Sequence, residues 1–411
     1  MRLHAFNALR PAPELVARIV SPPYDVVSRS EARALARDNP LSFLRVVRSD
    51  IDLPDDVDAH DARVYAKARE NFEWLIAEHT LMRDGHACLY LYRQVMEGRA
   101  QVGVVGCVHV DDDGGVIKKH ETTRPDKEDD RTQHILTLDA QAEPVLLAYR
   151  GRADLDQLVG ANMKMRPLYE LTTADGVRHT AWRVADPAPL VGAFEQVPGA
   201  YIADGHHRTA GAGRAARQRR GETPGRGDDA ESEWFLAVLV PAEQLRILPY
   251  NRVISDLVGQ APGEVLGQLE KIGRLSRTAD PVPPRPGSFC LYLDRRWYRL
   301  ELAEASIDRT ETLRSLDVAL LHARVLAPVL GIGDERTDQR IDFVGGGRGT
   351  RQLEARVDSG EAALAVSMYP TTMAELMAVA DAGHVMPPKS TWFEPKLLSG
   401  LFVHTLDGGI V

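Results

Sequence analysis

One stretch, Ala200-Tyr201-Ile202-Ala203-Asp204-Gly205-His206-His207-Arg208-Thr209-Ala210, constrains the fold more than any other. An apolar run rises into Asp-Gly, two histidines and an arginine follow, and an alanine-rich segment takes over, which reads as strand, tight turn, helix. Asp204 is a favoured N-cap residue, and Gly205 permits a sharp turn or a close backbone approach. The small residues Ala210, Gly211, Ala212, Gly213, Ala215 and Ala216 predict a helix that packs very close to its neighbour. A helix start offers free N–H groups and a partial positive charge to an anion. His206, His207 and Arg208 at that end suit a phosphate. A capped helix with a polar first turn would explain any one of these residues alone, but the run Asp-Gly-His-His-Arg together points to function.

The chain of 411 residues has room for about two to three domains. A soft boundary near Asp256 divides it into residues 1–255 and 256–411. A hydrophobic fraction of 44% is ordinary for a globular chain. The net charge of −9 argues against broad nucleic-acid binding, which leaves a basic footprint. No apolar run is long enough to span a bilayer, and Met1-Arg2-Leu3-His4 leads into no targeting segment. Cys88, Cys107 and Cys290 have no metal-ligand spacing and read as buried thiols of a cytoplasmic protein.

Three further stretches stand out. In Ser21-Pro22-Pro23-Tyr24-Asp25-Val26-Val27 the paired prolines force an extended path that presents Tyr24 and Asp25 at a fixed angle. The run from Lys118 to Arg131 interleaves both charge signs and contains His120, Glu121, Arg124, Pro125 and Asp126. It lies between a strand ending at Val110 and the apolar run Ile135 to Leu138, where open α/β folds keep their sites. Near the C-terminus, prolines on both sides hold Met386-Pro387-Pro388-Lys389-Ser390-Thr391-Trp392-Phe393-Glu394-Pro395-Lys396 extended.

Between these stretches, Ser28 and Glu31 form a capping box, and strands at Ala87 to Gln94 and Gln101 to Val110 form a hairpin. Leu41 to Val47 reads as a strand, with Arg45 and Arg48 as anion contacts or solvated surface. Asp111-Asp112-Asp113-Gly114-Gly115 lacks the alternating ligands of a calcium loop and reads as a solvated turn. Arg217 to Glu233 reads as an exposed loop. Gly345-Gly346-Gly347-Arg348-Gly349-Thr350 lacks the lysine and spacing of a Walker loop.

The stretches Ser-Pro-Pro-Tyr-Asp-Val-Val, His-Glu-x-Thr-Arg-Pro-Asp-Lys-Glu-Asp-Asp-Arg, Ala-Asp-Gly-His-His-Arg and Met-Pro-Pro-Lys-Ser-Thr together resemble a prokaryotic family known as a domain of unknown function, DUF1015, whose members are often associated with serine biosynthesis. The likeness covers essentially the whole chain. That family in turn resembles the free L-serine kinases of the ParB/sulfiredoxin superfamily. The resemblance implies a mixed α/β fold: a ParB/sulfiredoxin-like core with a large N-terminal elaboration and a C-terminal α/β part. It implies that Glu121 is the catalytic base and that Asp204 and His207 belong to the active site. Lys389, Ser390 and Thr391 match a late strap on the substrate side. Met1 to about Arg99 has no counterpart in the small kinases, so the phosphate donor does not carry over from them. Members of the larger family are expected to use ATP where the small archaeal enzymes use ADP.

Phosphoryl transfer to a serine hydroxyl needs a base, a metal bridging phosphates and donors for the phosphate oxygens. Gly205, His206, Arg208 and Arg131 are the candidate phosphate-binding residues. Mg2+ takes one or two carboxylates plus substrate phosphates, for which Asp204 or Asp126 would serve. Arg124, Lys389 and Thr391 could hold the carboxylate of serine, Asp25 its ammonium, with Tyr24 and Ser390 beside them. The chain therefore reads as an ATP- and Mg2+-dependent kinase of free L-serine. Two other classes compete: a metal-dependent phosphatase acting on a small phosphorylated metabolite, and a ParB-like nucleotide-binding regulator. The sequence leaves the oligomeric state open.

Overall fold

The computed structural model describes residues 1–222, 227 and 230–406. The chain is mixed α/β and divides into two units, Met1–Leu245 with Pro395–Val411, and Arg246–Glu394. Among the described residues no helix is long and apolar enough to cross a membrane.

The first unit is built on a nine-stranded sheet. Its strands are β1 (Leu3–His4), β2 (Tyr90–Met96), β3 (Arg99–His109), β4 (Ile117–Lys118), β5 (Val145–Tyr149), β6 (Tyr169–Thr172), β7 (Arg178–Arg183), β8 (Ala200–Asp204) and β9 (Trp234–Pro241). Across the sheet they run β4-β8-β5-β9-β3-β2-β7-β6. β2 and β3 make the expected hairpin, closed by Glu97 and Gly98 at φ 52° and 78°. Two consecutive positive φ values are the type I′ turn, whose twist matches that of the strands it joins. β1 lies beside Cys107 and Val108, the end of β3 that its hairpin partner does not reach. β5 and β9 run parallel and are buried at every position, as strands covered on both faces must be.

Among the described residues, six helices of eight or more residues cover this sheet and its N-terminal extension: α1 (Arg29–Ala36), α2 (Ala62–Ala77), α3 (Pro125–Leu138), α4 (Ala153–Asn162), α5 (Ala188–Glu195) and α6 (His206–Glu222). Ala212, Ala215 and Ala216 of α6 and Ile135 of α3 share one core with Leu147, Ile202, Phe235 and Leu239 of the strands. A second cluster joins α1 and α2 to Phe43, Val46 and Val47 and to Val403 of the C-terminal segment. The capping box of α1 is present, with Ser28 N–H donating to Glu31 and Glu31 N–H to Ser28 Oγ.

Three local expectations change. Leu41 to Val47 is not a strand: Leu44–Val47 is a helical turn whose apolar side chains lie against α2. A short apolar run fits either state, and the packing partner decides. Arg45 and Arg48 are committed within this region, Arg45 to Asp52 and Arg48 to Asp50 through two bonds of 3.0 and 2.9 Å. The loop expected over Arg217 to Glu233 begins later, because α6 runs on to Glu222. There Arg219 bonds Asp139 at 2.5 Å and Arg220 bonds Glu233 at 2.8 Å. The rest of that loop lies largely outside the described residues. Asp111, Asp112 and Asp113 are ion-paired with Arg220, Arg2 and Lys119.

The second unit holds β10 (Arg246–Leu248), β11 (Tyr250–Ile254), β12 (Arg274–Arg277), β13 (Ser288–Leu293), β14 (Arg296–Glu301), β15 (Ile341–Gly345), β16 (Leu364–Ser367) and β17 (Trp392–Glu394). Six of them form an antiparallel sheet in the order β12-β14-β13-β16-β11-β15, while β10 pairs with β17. Asp256, where the sequence places a boundary, follows β11. The glycine run after β15 is a packing device: a Cβ on Gly345 would sit 2.7 Å from the Trp392 ring, and one on Gly346 2.6 Å from the Pro249 carbonyl.

Candidate active site

β8 ends at Asp204, Gly205 turns at φ 101°, and α6 begins at His206. The sharp reversal requires glycine, since a Cβ there would be strained and would press on the Arg208 guanidinium at 2.9 Å. The first helical bond, Thr209 N–H to the Gly205 carbonyl at 2.9 Å, places Gly205 rather than Asp204 at the N-cap. The Asp204 carboxylate is instead bracketed by two cations, Lys396 Nζ at 3.2 Å and Arg208 Nη2 at 3.5 Å. Burial alone would push this carboxyl up, but Lys396 and Arg208 overcome it and hold it at about 2. α6 packs as closely as its small residues predict: a Cβ on Gly211 would lie 2.9 Å from Arg131 Cβ and 3.2 Å from the Thr132 backbone nitrogen.

The loop from His120 to Arg124 meets this turn. Glu121 Oε2 lies 3.7 Å from His206 Nδ1, and the Arg124 N–H donates to His207 Nε2 at 3.1 Å. The His120 ring stands edge-on to that of His206, centroids 4.5 Å apart. His206 is buried and its Nε2 has no partner among the described residues, whereas the Glu121 side chain is 30% exposed. Burial, reinforced by His120 and His207, holds His206 well below the ordinary imidazole range, and burial takes His120 down to about 4. A neutral His206 can donate a hydrogen bond without cancelling the charge of a carboxylate beside it.

Behind the turn lies a buried charge network. Arg131 bonds Asp130 through Nε and Nη2 at 3.0 and 2.8 Å, reaches Glu143 at 3.5 Å and stacks 3.9 Å above the Tyr24 ring. Glu143 also accepts from the Tyr24 N–H at 3.0 Å and from Ser399 Oγ at 2.9 Å. Arg208 donates to the Pro144 carbonyl, and its buried Nε has no partner among the described residues. Asp25 is exposed, close enough to act on Glu143 and Arg208 electrostatically. A cavity of about 20 Å³ beside Arg131, Glu143 and Arg208 has room for about one water and none for a nucleotide.

Arg124 and Asp126 pair with each other at the exposed start of α3, at 2.8 Å. Among the described residues no group of three His, Cys, Asp or Glu side chains gathers as a metal site. With Asp204 and Asp126 each facing a cation, these residues do not fit a protein-held Mg2+. Lys389, Ser390 and Thr391 belong to the second unit. There Lys389 adopts φ 54° with its ammonium 5.5 Å from the Tyr250 ring, and Ser390 Oγ donates to the Pro387 carbonyl at 2.6 Å.

Sequence reasoning missed Lys396, Glu143, Ser399 and the contact role of His120. Lys396 ends the proline-bracketed C-terminal stretch, and Glu143 is a lone acid at the head of a buried strand. Neither position carries a local signal that marks it.

The buried imidazoles predict a pH dependence. His120 and His206 are neutral in the fold, while an unfolded chain protonates them near the ordinary value of about 6.5. Below that pH the unfolded state binds protons that the folded state refuses until about 4, the value for His120, so stability falls on acidification. Each such histidine contributes a slope of up to about 1.4 kcal/mol per pH unit. Urea unfolding midpoints should therefore drop from pH 7 to pH 5, and His206→Gln should flatten that drop. Parallel behaviour of the two proteins would show that His206 is protonated in the fold.

The family described as "Protein of unknown function (DUF1015)" matches residues 3–319. The chain belongs to this family. The Tyr24, Glu121 and Asp204 stretches fall inside the matched region, and the Lys389 stretch lies beyond it. No curated protein matches the chain. Among similar solved structures, a free serine kinase in complex with AMP shares 14% identity over 71% of this chain and 86% of its own, with TM-score 0.35. SbnI with a C-terminal truncation, from Staphylococcus aureus, shares 13% over 72% and 85%, with TM-score 0.38. A conserved hypothetical protein from Pyrococcus furiosus shares 14% over 71% and 90%, with TM-score 0.33. At these values the likeness assigns no activity to this chain.

Proposed function

We propose that this chain is a kinase transferring the γ-phosphoryl group of ATP to the hydroxyl of free L-serine, giving O-phosphoserine and ADP. The observation that carries this reading is the meeting of the Glu121 loop with the Asp204–Arg208 turn, at 3.7 Å between Glu121 and His206 and 3.1 Å between Arg124 and His207. It sets a half-exposed carboxylate beside a helix start, the combination that hydroxyl deprotonation and phosphate binding require. The resemblance of the motifs to the free L-serine kinases supports the same assignment.

In this reading Glu121 takes the serine hydroxyl proton as the new oxygen–phosphorus bond forms and the bond to the ADP oxygen breaks. The N–H groups at the start of α6, with Gly205, His206, His207 and Arg208, receive the phosphate, and Arg131 supports them from behind. Asp25, Tyr24 and Arg124 face the amino acid. Mg2+ would arrive with the nucleotide, held by phosphate oxygens.

The test is direct. Full-length protein is incubated with ATP or ADP, Mg2+ and a panel of hydroxy amino acids, and phosphoserine is followed by phosphorus NMR. Phosphoserine with ATP as the better donor is the expected result. Phosphate release from added phosphoserine, with no forward transfer from either nucleotide, would turn the assignment to a phosphatase.

A further inference from the structure

We propose that Lys396 is a positioning residue: its ammonium clamps the Asp204 carboxylate at the turn, so that an incoming phosphate meets a fixed group of net positive charge instead of a carboxylate with one oxygen uncovered. The proposal rests on the kinase reading for its functional consequence, though not for its geometry.

Pro395 to Leu406 belongs to the first unit although the chain has passed through the whole of the second before reaching it. The segment is fastened on both sides of the site. Gln94 Nε2 donates to the Lys396 carbonyl at 2.8 Å, and Gln101 Nε2 donates to Gln94 Oε1 at 2.9 Å. Both glutamines are buried, at 1% and 4% exposure, on the β2–β3 hairpin. Buried amides are costly unless bonded, so their pairing fixes the Lys396 backbone. Beyond Lys396, Ser399 and Ser21 exchange backbone bonds of 2.9 and 3.2 Å, and Gly400 lies so close to Phe43 that a Cβ would sit 2.5 Å from the ring. From a backbone held this way the Lys396 ammonium reaches Asp204 Oδ2 at 3.2 Å.

The charge count explains why this matters for a phosphate. Asp204 with Arg208 alone is a neutral pair, and Lys396 makes the group net positive at the start of α6. Without Lys396, the Oδ2 side of Asp204 would oppose the phosphate that the helix start attracts. A purely structural lysine would change stability without moving the Asp204 titration and without rescue by a second cation.

Three variants separate these roles: Lys396→Met, Lys396→Gln and Lys396→Arg. The substrate-free readout is NMR of protein labelled with ¹³C at aspartate carboxyls, with the Asp204 signal assigned by its loss in Asp204→Asn. The Asp204 midpoint should rise by about one pH unit or more in the Met and Gln variants and stay low in the Arg variant. The turnover readout should fall by about 10²-fold in the Met and Gln variants, the scale of a misplaced reacting group, and recover in the Arg variant. If Lys396→Met does not fold, the Gln variant, which keeps an N–H donor and loses the charge, decides. An unchanged Asp204 midpoint in a folded Met or Gln variant overturns the proposal. If the parent protein makes no phosphoserine, the kinase reading fails while the titration still decides the role of Lys396.

Discussion

Replacing Glu121 with glutamine is expected to lower turnover by about 10²–10⁴-fold, the range for losing acid–base help, while nucleotide and serine still bind. A serine hydroxyl is a poor nucleophile at neutral pH, so something must accept its proton as the bond to phosphorus forms. Glu121 is placed for this: its side chain is 30% exposed and one oxygen lies 3.7 Å from His206. Burial keeps His206 neutral, so the carboxylate is not neutralised by an imidazolium beside it. Glutamine preserves the shape and most of the hydrogen bonding and removes the basic oxygen. Steady-state kinetics with ATP and serine check this, alongside nucleotide binding measured by calorimetry. A variant with near-normal turnover and a raised Michaelis constant for serine would make Glu121 a binding residue and move the base to Asp204 or Asp25.

Much of the first unit was legible because its signals are local. A glycine-forced turn between an apolar strand and an alanine-rich helix has few alternatives, and both the φ of 101° at Gly205 and the close approach at Gly211 follow from side chains that are absent. The hairpin at Glu97-Gly98 was legible for the same reason. Leu41 to Val47 was not, because five apolar residues in seven show no period, and α2 rather than the local sequence sets their state.

The site divides along the same line. Motif residues were visible as motifs, but their partners were not. Asp204 reads as an N-cap from its neighbours, and only the return of the chain at Lys396 turns it into half of an ion pair 192 residues apart. Glu143 gave no motif at all, yet it receives Tyr24 and Ser399 from two distant parts of the chain and Arg131 from the preceding helix. Long-range charge pairing leaves no periodicity in a sequence, so it becomes visible only when the fold closes the distance.

Arg131 is where that difference gives the largest expected effect on stability. The sequence places it among the phosphate-binding residues. In the fold its guanidinium is 8% exposed, bonded to Asp130, near Glu143 and stacked on Tyr24. Tyr65 donates to the other oxygen of Asp130 at 2.9 Å, so the pair is closed on both sides. Burial opposes the charge on Arg131, and its anionic neighbours outweigh that opposition. Removing one member of such a pair leaves a buried charge without compensation, at about 3–5 kcal/mol, whereas an exposed ion pair is worth about 0–1. Arg131→Met keeps most of the volume, so the loss measures charge rather than a cavity. Urea unfolding should show a destabilisation of about 3–5 kcal/mol, with a part regained in the double variant Arg131→Met/Glu143→Gln, which removes one of the stranded carboxylates. A single variant as stable as the parent, with nucleotide affinity lost, would instead make Arg131 a direct phosphate ligand whose contacts with Asp130 and Glu143 give way when the nucleotide binds.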